Sequence, residues 1–395
     1  MLLLFFLYLV IIDTMDNSKH GKMPPLIWIA KRTYSLFLKA GGRLRLQNDT
    51  DANLKKGNYL YLLNHAGIMD PVLVSSVVPR HVRWVAGAYL FKRKFTNLII
   101  GHGCTAISKQ QGRGDLSTIK TMKAALDGGD SVGLFPEGTR TWDGEMLDIN
   151  YTALAKLVRY CGASVLIASL EGAYAQQPRW ADFKRKGKVI VHIKRHIDAS
   201  KLKGCDIDSL AAELEQYLVF SNDEWKKHHE YRYVSDRRAE GIQRLLYLCP
   251  CCSSVDSIKA QGSTFRCTEC GAEASLDDKD NIVSEKIEFR TLNQWHRWEA
   301  ENIKAKNSFP EEKGVLFQIE EKIVSNDINV HLKDNVLHIR CNDIEKDNEY
   351  SMPLDQISSM VLNAKQTMEF FCSDVLYRVR LMPDACSLKY KELFI

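Results

Sequence analysis

The chain has no apolar run of the roughly twenty residues that a membrane-spanning helix requires. Its apolar opening, Met1–Ile12 (MLLLFFLYLVII), stops at Asp13. No positive charge precedes that run and no clear small-residue cleavage site follows it, which argues against a secretory signal. A short segment dipping into a membrane surface, or an extension ahead of Met15, is the expectation left. Cysteine is too sparse for a disulfide scaffold, at 11 in 395 residues. Cys104, Cys161, Cys205, Cys341, Cys372 and Cys386 are scattered, which suits a reducing compartment. The Gly-x-Ser-x-Gly elbow that marks many serine nucleophiles on α/β sheets is also missing.

Neither charge sign dominates, since the net charge is +5, but the signs are unevenly placed. Residues 1–245 carry 36 Lys and Arg against 24 Asp and Glu, and residues 246–395 carry 18 against 25. A basic first part suits an anionic partner, whether a phospholipid surface, a phosphorylated substrate or a nucleotide-bearing thioester. With 45% hydrophobic residues, the chain can bury a sizeable core in more than one domain.

Two stretches carry chemistry. Tyr59–Asp70 (YLYLLNHAGIMD) reads as a buried apolar strand that breaks at Asn64 and delivers His65, with Asp70 five positions on. Histidine takes protons near neutral pH, and a nearby carboxylate fixes its tautomer and stabilises the imidazolium that forms. The spacing allows a His-Asp dyad with no serine or cysteine between its members. The second stretch, Phe135–Thr141 (FPEGTRT), also ends an apolar run. Pro136 stops the strand, Gly138 permits close backbone approach, and Arg140 offers a planar fork suited to a phosphate. Polar bursts at the ends of apolar strands are how open α/β sheets build a site.

Asn64-His65 with Asp70, followed by Phe135-Pro136-Glu137-Gly138-Thr139-Arg140, resembles the glycerolipid acyltransferase family, which includes the 1-acylglycerol-3-phosphate acyltransferases. The likeness covers about residues 25–220. It implies an α/β domain, a mixed sheet flanked by helices. It also implies His65 as general base oriented by Asp70, with Lys109, Glu137, Gly138 and Arg140 at the acceptor's phosphate. The reaction implied is transfer of an acyl group from acyl-CoA or acyl carrier protein to the free hydroxyl of a lysophospholipid, above all lysophosphatidic acid. Such an enzyme works at the cytoplasmic face of a membrane, peripherally or held by the short apolar segment.

The chain departs from the family pattern in three places. The family presents an Arg in its second motif, where this sequence has Lys109, which keeps the charge but not the bidentate fork. A Pro expected in the fourth motif is Leu166 or Ile167, and a Phe-Lys-x-Gly stretch is replaced by Ile149-Asn150-Tyr151-Thr152. These changes leave the dyad intact and bear on the acyl acceptor. Glycerol-3-phosphate or another lysolipid is therefore an alternative acceptor.

Helices are expected over Leu26–Ala40, where Trp28 and Phe37 suit a membrane interface, from Asp70-Pro71 to Val78, and over Leu116–Asp127, Tyr151–Tyr160 and Ser209–Phe220. Further strands are expected at Val82–Ala88, Ile99–Ser108, Ser164–Ser169 and Val189–Ile193, with a hairpin or entry strand in Gly41–Lys56. The basic cluster Lys92–Lys94 is a candidate membrane contact, and His102 reads as structural.

Cys249 and Cys252, then Cys267 and Cys270, form two C-x2-C pairs separated by fourteen residues. Four thiolates at that spacing gather a tetrahedral structural Zn²⁺ in a zinc ribbon, with Cys251 spare. A zinc ribbon could bind nucleic acid, giving a non-catalytic membrane- or nucleic-acid-binding protein as a rival reading. The acidic surroundings and the lack of a dense Lys/Arg cluster argue against nucleic acid. A helix bearing Trp295 and Trp298 is expected to pack on the ribbon, and Asn307–Gly314 reads as a linker. Short alternating segments from Val315 onward, with a terminal helix, resemble a pleckstrin-homology-like module. The organisation expected is residues 1–24 as an apolar segment, 25–240 as the acyltransferase domain, 245–306 as ribbon and packing helix, and 314–395 as a β-rich domain.

Overall fold

The computed structural model describes residues 43–91, 97, 100–101, 104–109, 116–320, 322–343 and 348–394, and singly 29, 32, 33 and 36. Met1–Ile12, most of Leu26–Ala40, the cluster Lys92–Lys94, and His102 with Gly103 lie outside the described residues. Among the described residues, no helix is long and apolar enough to cross a membrane. The chain divides into two compact units, Met1–Gln176 with Gly187–Tyr231, and Gln177–Lys186 with Arg232–Ile395.

The first unit is built on a seven-stranded mixed sheet of order β1-β7-β6-β2-β5-β3-β4. Its strands are β1 (Leu44–Asn48), β2 (Leu60–Leu63), β3 (Val82–Gly87), β4 (Ile107–Lys109), β5 (Ser131–Leu134), β6 (Val165–Glu171) and β7 (Val189–Ile197). Strands β6, β2, β5, β3 and β4 run parallel, and β7 runs against β6. Every residue of β2, β5 and β6 is buried, as parallel strands covered on both faces require.

The period of two sorts β2 between two cores. Tyr59, Tyr61 and Leu63 join Leu73, Val74 and Val77 of helix α1 (Asp70–Val77) on one face. Leu60 and Leu62 join the apolar faces of α2 (Leu116–Asp127), α3 (Tyr151–Cys161) and α4 (Ile207–Leu218) on the other. Pro71 in the first turn of α1 has no amide hydrogen to waste there, and α3 is capped by Asn150, whose side chain accepts from Ala153 N.

Connectivity fixes where the site falls. From β2 the chain passes through α1 to β3, stepping over β5. From β5 it passes through α3 to β6, stepping back over β2. Two adjacent parallel strands therefore send their carboxyl ends in opposite directions, which opens a crevice between them. His65 follows β2 and the FPEGTRT loop follows β5, so both reach that crevice.

Of the two forms expected within Gly41–Lys56, the entry strand is the one found, since Leu44–Asn48 pairs in parallel with β7. One local expectation changes. Ile100 and Gly101 are helical, and the strand begins only at Ile107. The apolar run Ile99–Ser108 cannot by itself tell a buried strand from a buried helical turn.

The second unit holds a four-stranded antiparallel sheet of β8 (Ile258–Gln261), β9 (Thr264–Cys267), β10 (Glu273–Leu276) and β11 (Ile282–Val283). Helix α5 (Leu292–Ile303) starts at a Thr291–Gln294 capping box. It buries Trp295, whose indole N–H donates to Leu248 O at 3.0 Å. An eight-stranded antiparallel sheet follows, from β12 (Phe309–Ile319) through β13 (Lys322–Ser325), β14 (Ile328–Lys333), β15 (Val336–Cys341), β16 (Glu349–Pro353), β17 (Ile357–Asn363) and β18 (Thr367–Cys372) to β19 (Val375–Leu381). Helix α6 (Leu388–Glu392) ends it.

Most of Asn307–Gly314 thus belongs to β12 and is no linker. Pro310 is tolerated because the β12–β14 register shifts between Phe309 and Glu312. Gln177–Lys186 is an excursion from the first unit's sequence that packs within the second. Trp180 is fully buried there, Arg179 donates to Leu362 O and Ala364 O, and Arg185 pairs with Asp280.

Candidate active site

The site begins where β2 ends. Asn64 is buried, and its Oδ1 accepts from Leu170 N of β6 at 2.7 Å. This side-chain bond carries the β2–β6 pairing one residue beyond the strand and sets the exit of His65. The His65 backbone is then held from both sides by the FPEGTRT loop. Its N–H donates to Glu137 Oε1 at 2.6 Å, and its carbonyl accepts from Thr141 N at 3.0 Å.

The dyad expected from sequence spacing is assembled. His65 Nδ1 lies 2.8 Å from Asp70 Oδ2. The same carboxylate oxygen accepts from Ala66 N at 2.7 Å and Gly67 N at 2.8 Å. Since a carboxylate only accepts, Nδ1 carries the hydrogen and Nε2 is left as the basic nitrogen. The Asp70 side chain is 1% exposed and that of His65 19%, so the acid is sealed while the imidazole reaches solvent. Behind the imidazole lies Phe135, with centroids 4.2 Å apart and planes 15° from parallel. Behind Phe135 lies Trp84 of β3, at 4.9 Å and 12°.

Phe135 to Gly138 closes a turn through Gly138 N and Phe135 O at 3.1 Å, with Pro136 presetting its second position. Gly138 has φ +71°, a left-handed conformation that favours glycine. Glu137 braces two loops, since its other oxygen accepts from Leu147 N at 3.0 Å. Burial pushes its carboxyl up to about 8, while the amides of Leu147 and His65 pull the other way. Both of its oxygens therefore serve backbone donors, which is a bracing geometry more than a phosphate contact.

Arg140 is partly buried. Burial pulls its guanidinium below the usual range, and Tyr89 and Asp70 oppose that shift, so this cation lies in the field of the dyad's acid. Lys109 ends β4 opposite Gly87 of β3, at the same carboxyl edge but three strands from β2. Trp142 is buried, and its carbonyl accepts from the Tyr174 hydroxyl at 3.1 Å, so it packs under the loop. The sequence marks Asn64 as the close of the strand and part of the motif without giving it a bond, and it assigns no role to Thr141 or Trp84. Asn64 had a readable signal, a polar residue closing an apolar strand, whereas the contact of Trp84 depends on strand order.

In the second unit, the Sγ atoms of Cys249, Cys252, Cys267 and Cys270 all lie within 4.8 Å of one another. Cys249–Cys270 and Cys252–Cys267 are each 3.7 Å apart. Four sulfurs at about 2.3 Å from a tetrahedral zinc would be roughly 3.8 Å apart, so the donor set fits that ion. The two knuckles share one backbone design. Ser253 N donates to Cys249 O and Gly271 N to Cys267 O, with Ser253 (φ 58°) and Gly271 (φ 70°) both left-handed. Burial pushes the Cys249 thiol up, whereas at Cys267 the hydroxyls of Ser254 and Ser257 outweigh burial and hold the thiol down at about 6. Cys251 points elsewhere, toward Lys286 O at 3.9 Å.

The family model described as Acyltransferase matches residues 43–169, a span that contains the dyad, Lys109 and the FPEGTRT loop. A 1-acyl-sn-glycerol-3-phosphate acyltransferase of Helicobacter pylori is 30% identical over 103 residues, 24% of this chain and 44% of that protein. The chain thus spans less than half the length of this curated relative. The crystal structure of the 1-acyl-sn-glycerophosphate (LPA) acyltransferase PlsC from Thermotoga maritima aligns with TM-score 0.44 and 20% identity, covering 57% of this chain and 88% of that one. The chain carries an acyltransferase-family domain.

Proposed function

We propose that this chain transfers an acyl group from an acyl-CoA or acyl carrier protein thioester to the free hydroxyl of a lysophospholipid, foremost lysophosphatidic acid, giving phosphatidic acid. The observation that carries the reading is the dyad, with Nδ1 of His65 held by a buried, doubly amide-bonded Asp70 and Nε2 left basic. Nε2 takes the hydroxyl proton as the oxygen attacks the thioester carbonyl carbon. The carbon–sulfur bond then breaks, and the proton passes from the imidazolium to the leaving sulfur. The products are an ester and a free thiol, and no covalent acyl-enzyme is needed.

Arg140 and Lys109 are assigned to the acceptor phosphate, with Gly138 allowing the backbone near it and Glu137 bracing the loop. Lys109 supplies a point charge without a fork. That favours, as a second reading, an acceptor whose phosphate bears a larger head group. Glycerol-3-phosphate is the remaining acceptor to compare. The acceptor is an amphiphile, so the reaction is assigned to a membrane surface that the basic first part of the chain would approach peripherally. The four-cysteine cluster is assigned a structural Zn²⁺ in a zinc ribbon. Four thiolates leave no open position, so this ion has no part in acyl transfer. The β-rich sheet with α6 is assigned to a pleckstrin-homology-like accessory module.

The test is phosphatidic acid formation by the purified chain from lysophosphatidic acid and each thioester donor, beside His65→Ala. Product that disappears in the variant supports both reaction and base. Wild-type turnover in the variant would overturn the base assignment. Absence of product with every lysolipid, glycerol-3-phosphate and both donors would overturn the enzymatic reading.

A further inference from the structure

We infer that Trp84, which lies outside both sequence motifs, is a positioning residue for His65 and acts on it through Phe135. The inference rests on the reading of His65 as the base. Asp70 fixes only one point of the imidazole, the Nδ1 end. With Cβ and this one hydrogen bond as its anchors, the ring can still tilt about the line that joins them, and that tilt moves Nε2, the atom that must meet the hydroxyl. A face contact removes this freedom by fixing the plane of the ring. Phe135 supplies that face, 4.2 Å away and nearly parallel.

Phe135 sits at the end of β5 beside a crevice, and its own plane needs a backing. Trp84 provides it, stacked at 4.9 Å and 12° from parallel and itself 5% exposed. The indole is anchored in turn, since its N–H donates to Ser75 Oγ at 3.0 Å. Ser75 lies on α1, the helix that begins with Asp70. One helix thus fixes the imidazole twice, in its plane through Asp70 and out of its plane through Ser75, Trp84 and Phe135.

The sheet makes room for this arrangement. Gly133 is the direct partner of Trp84 across β3 and β5. A Cβ on Gly133 would lie 2.4 Å from Trp84 Cε3, so the indole can lie against that strand only over a glycine. Displacing a reacting atom by about 1 Å can cost on the order of a hundredfold in rate, so a loosened ring should show directly in turnover.

The experiment compares full-length wild type, His65→Ala, Trp84→Leu, Trp84→Phe and Ser75→Ala at saturating lysophosphatidic acid and acyl-CoA. Trp84→Leu is expected to lower kcat about tenfold or more, with KM for both substrates within about twofold of wild type. Trp84→Phe, which restores a flat ring, should recover most of the loss. Ser75→Ala leaves the packing in place and frees only the indole, so a severalfold fall in kcat is expected with a melting temperature lowered by no more than about a few degrees, the cost of one unmet buried N–H. If Trp84→Leu does not fold, Ser75→Ala decides the matter. Wild-type kcat in Ser75→Ala, or a loss in Trp84→Leu carried by KM alone, would overturn the positioning role. An inactive wild type, or an active His65→Ala, would instead overturn the assignment of His65 and this inference with it.

Discussion

Two clusters of charged side chains, one in each unit, are built from similar parts to opposite ends. At the first, a histidine meets one buried carboxylate, whose Oδ2 also holds two backbone amides. The group left over is Nε2, on a side chain that reaches solvent. At the second, Lys389 of α6 is completely buried and pairs with Asp256 and with Glu312 of β12, which also accepts from the Tyr390 hydroxyl at 3.0 Å. Burial alone would pull the Lys389 ammonium down, yet Asp256 and Glu312 outweigh it and raise it. No reactive atom of Lys389 faces water. Asp256 lies between the two cysteine pairs and Glu312 on the eight-stranded sheet, so this cluster ties three parts of the second unit together. A charge group with one unmet, accessible atom is equipped for chemistry. One whose cation is sealed between two carboxylates sets how elements dock.

The comparison predicts which property each change should move. The largest effect is expected at the four-cysteine cluster to which a structural zinc is assigned. Chelation, or Cys267→Ser with Cys270→Ser, should release one zinc per chain and unfold the second unit, because structural zinc contributes on the order of 10 kcal/mol to folding. Elemental analysis with near-ultraviolet circular dichroism reads this out, and a zinc-free protein with an unchanged melting curve would remove the ion from the account. Next comes His65→Ala, expected to cost up to about 10⁴-fold in kcat with little change in melting temperature. Lys389→Met should do the reverse. It leaves two carboxylates without their cation, at a cost of about 3–5 kcal/mol, while the folded fraction keeps its turnover. If Lys389→Met spared stability and abolished turnover, the division between the clusters would collapse.

What could be read from sequence follows the range of the interactions. The His65–Asp70 pair spans five residues and β2 leads straight into it, so local spacing carried the dyad. The two C-x2-C pairs were legible for the same reason, since each knuckle is a local turn and only their pairing is distant. Lys389 was invisible, because Asp256 and Glu312 are 133 and 77 residues away and a lysine in a short terminal helix carries no mark of burial. Trp84 was invisible because its neighbour Phe135 depends on β3 and β5 lying side by side. The first part of β12, up to Gly314, reads as a linker because Pro310 looks like a breaker until the register shift beside it is known. The excursion Gln177–Lys186 could not be foreseen either. Its arginines look like surface charges, whereas Arg179 and Arg185 are buried against carbonyls and a carboxylate.

The smallest predicted effect concerns Glu137, which shares features of both clusters. Like Lys389 it braces, through the amides of His65 and Leu147, and like His65 it stands at the crevice. Burial raises its carboxyl to about 8, against about 4.3 in an unfolded chain. Between those values the folded protein binds the extra proton. Its contribution is therefore fully present below about pH 4 and is lost as pH rises through about 8. Glu137→Gln removes that titration. The melting temperature of wild type relative to the variant should accordingly fall by on the order of a few degrees between pH 5 and pH 9. A difference that stays flat across this range would mean that the carboxyl is ionised throughout. Glu137 would then be a charged brace held by its two amides, and the loop that carries Arg140 would be fixed by charge as well as by shape.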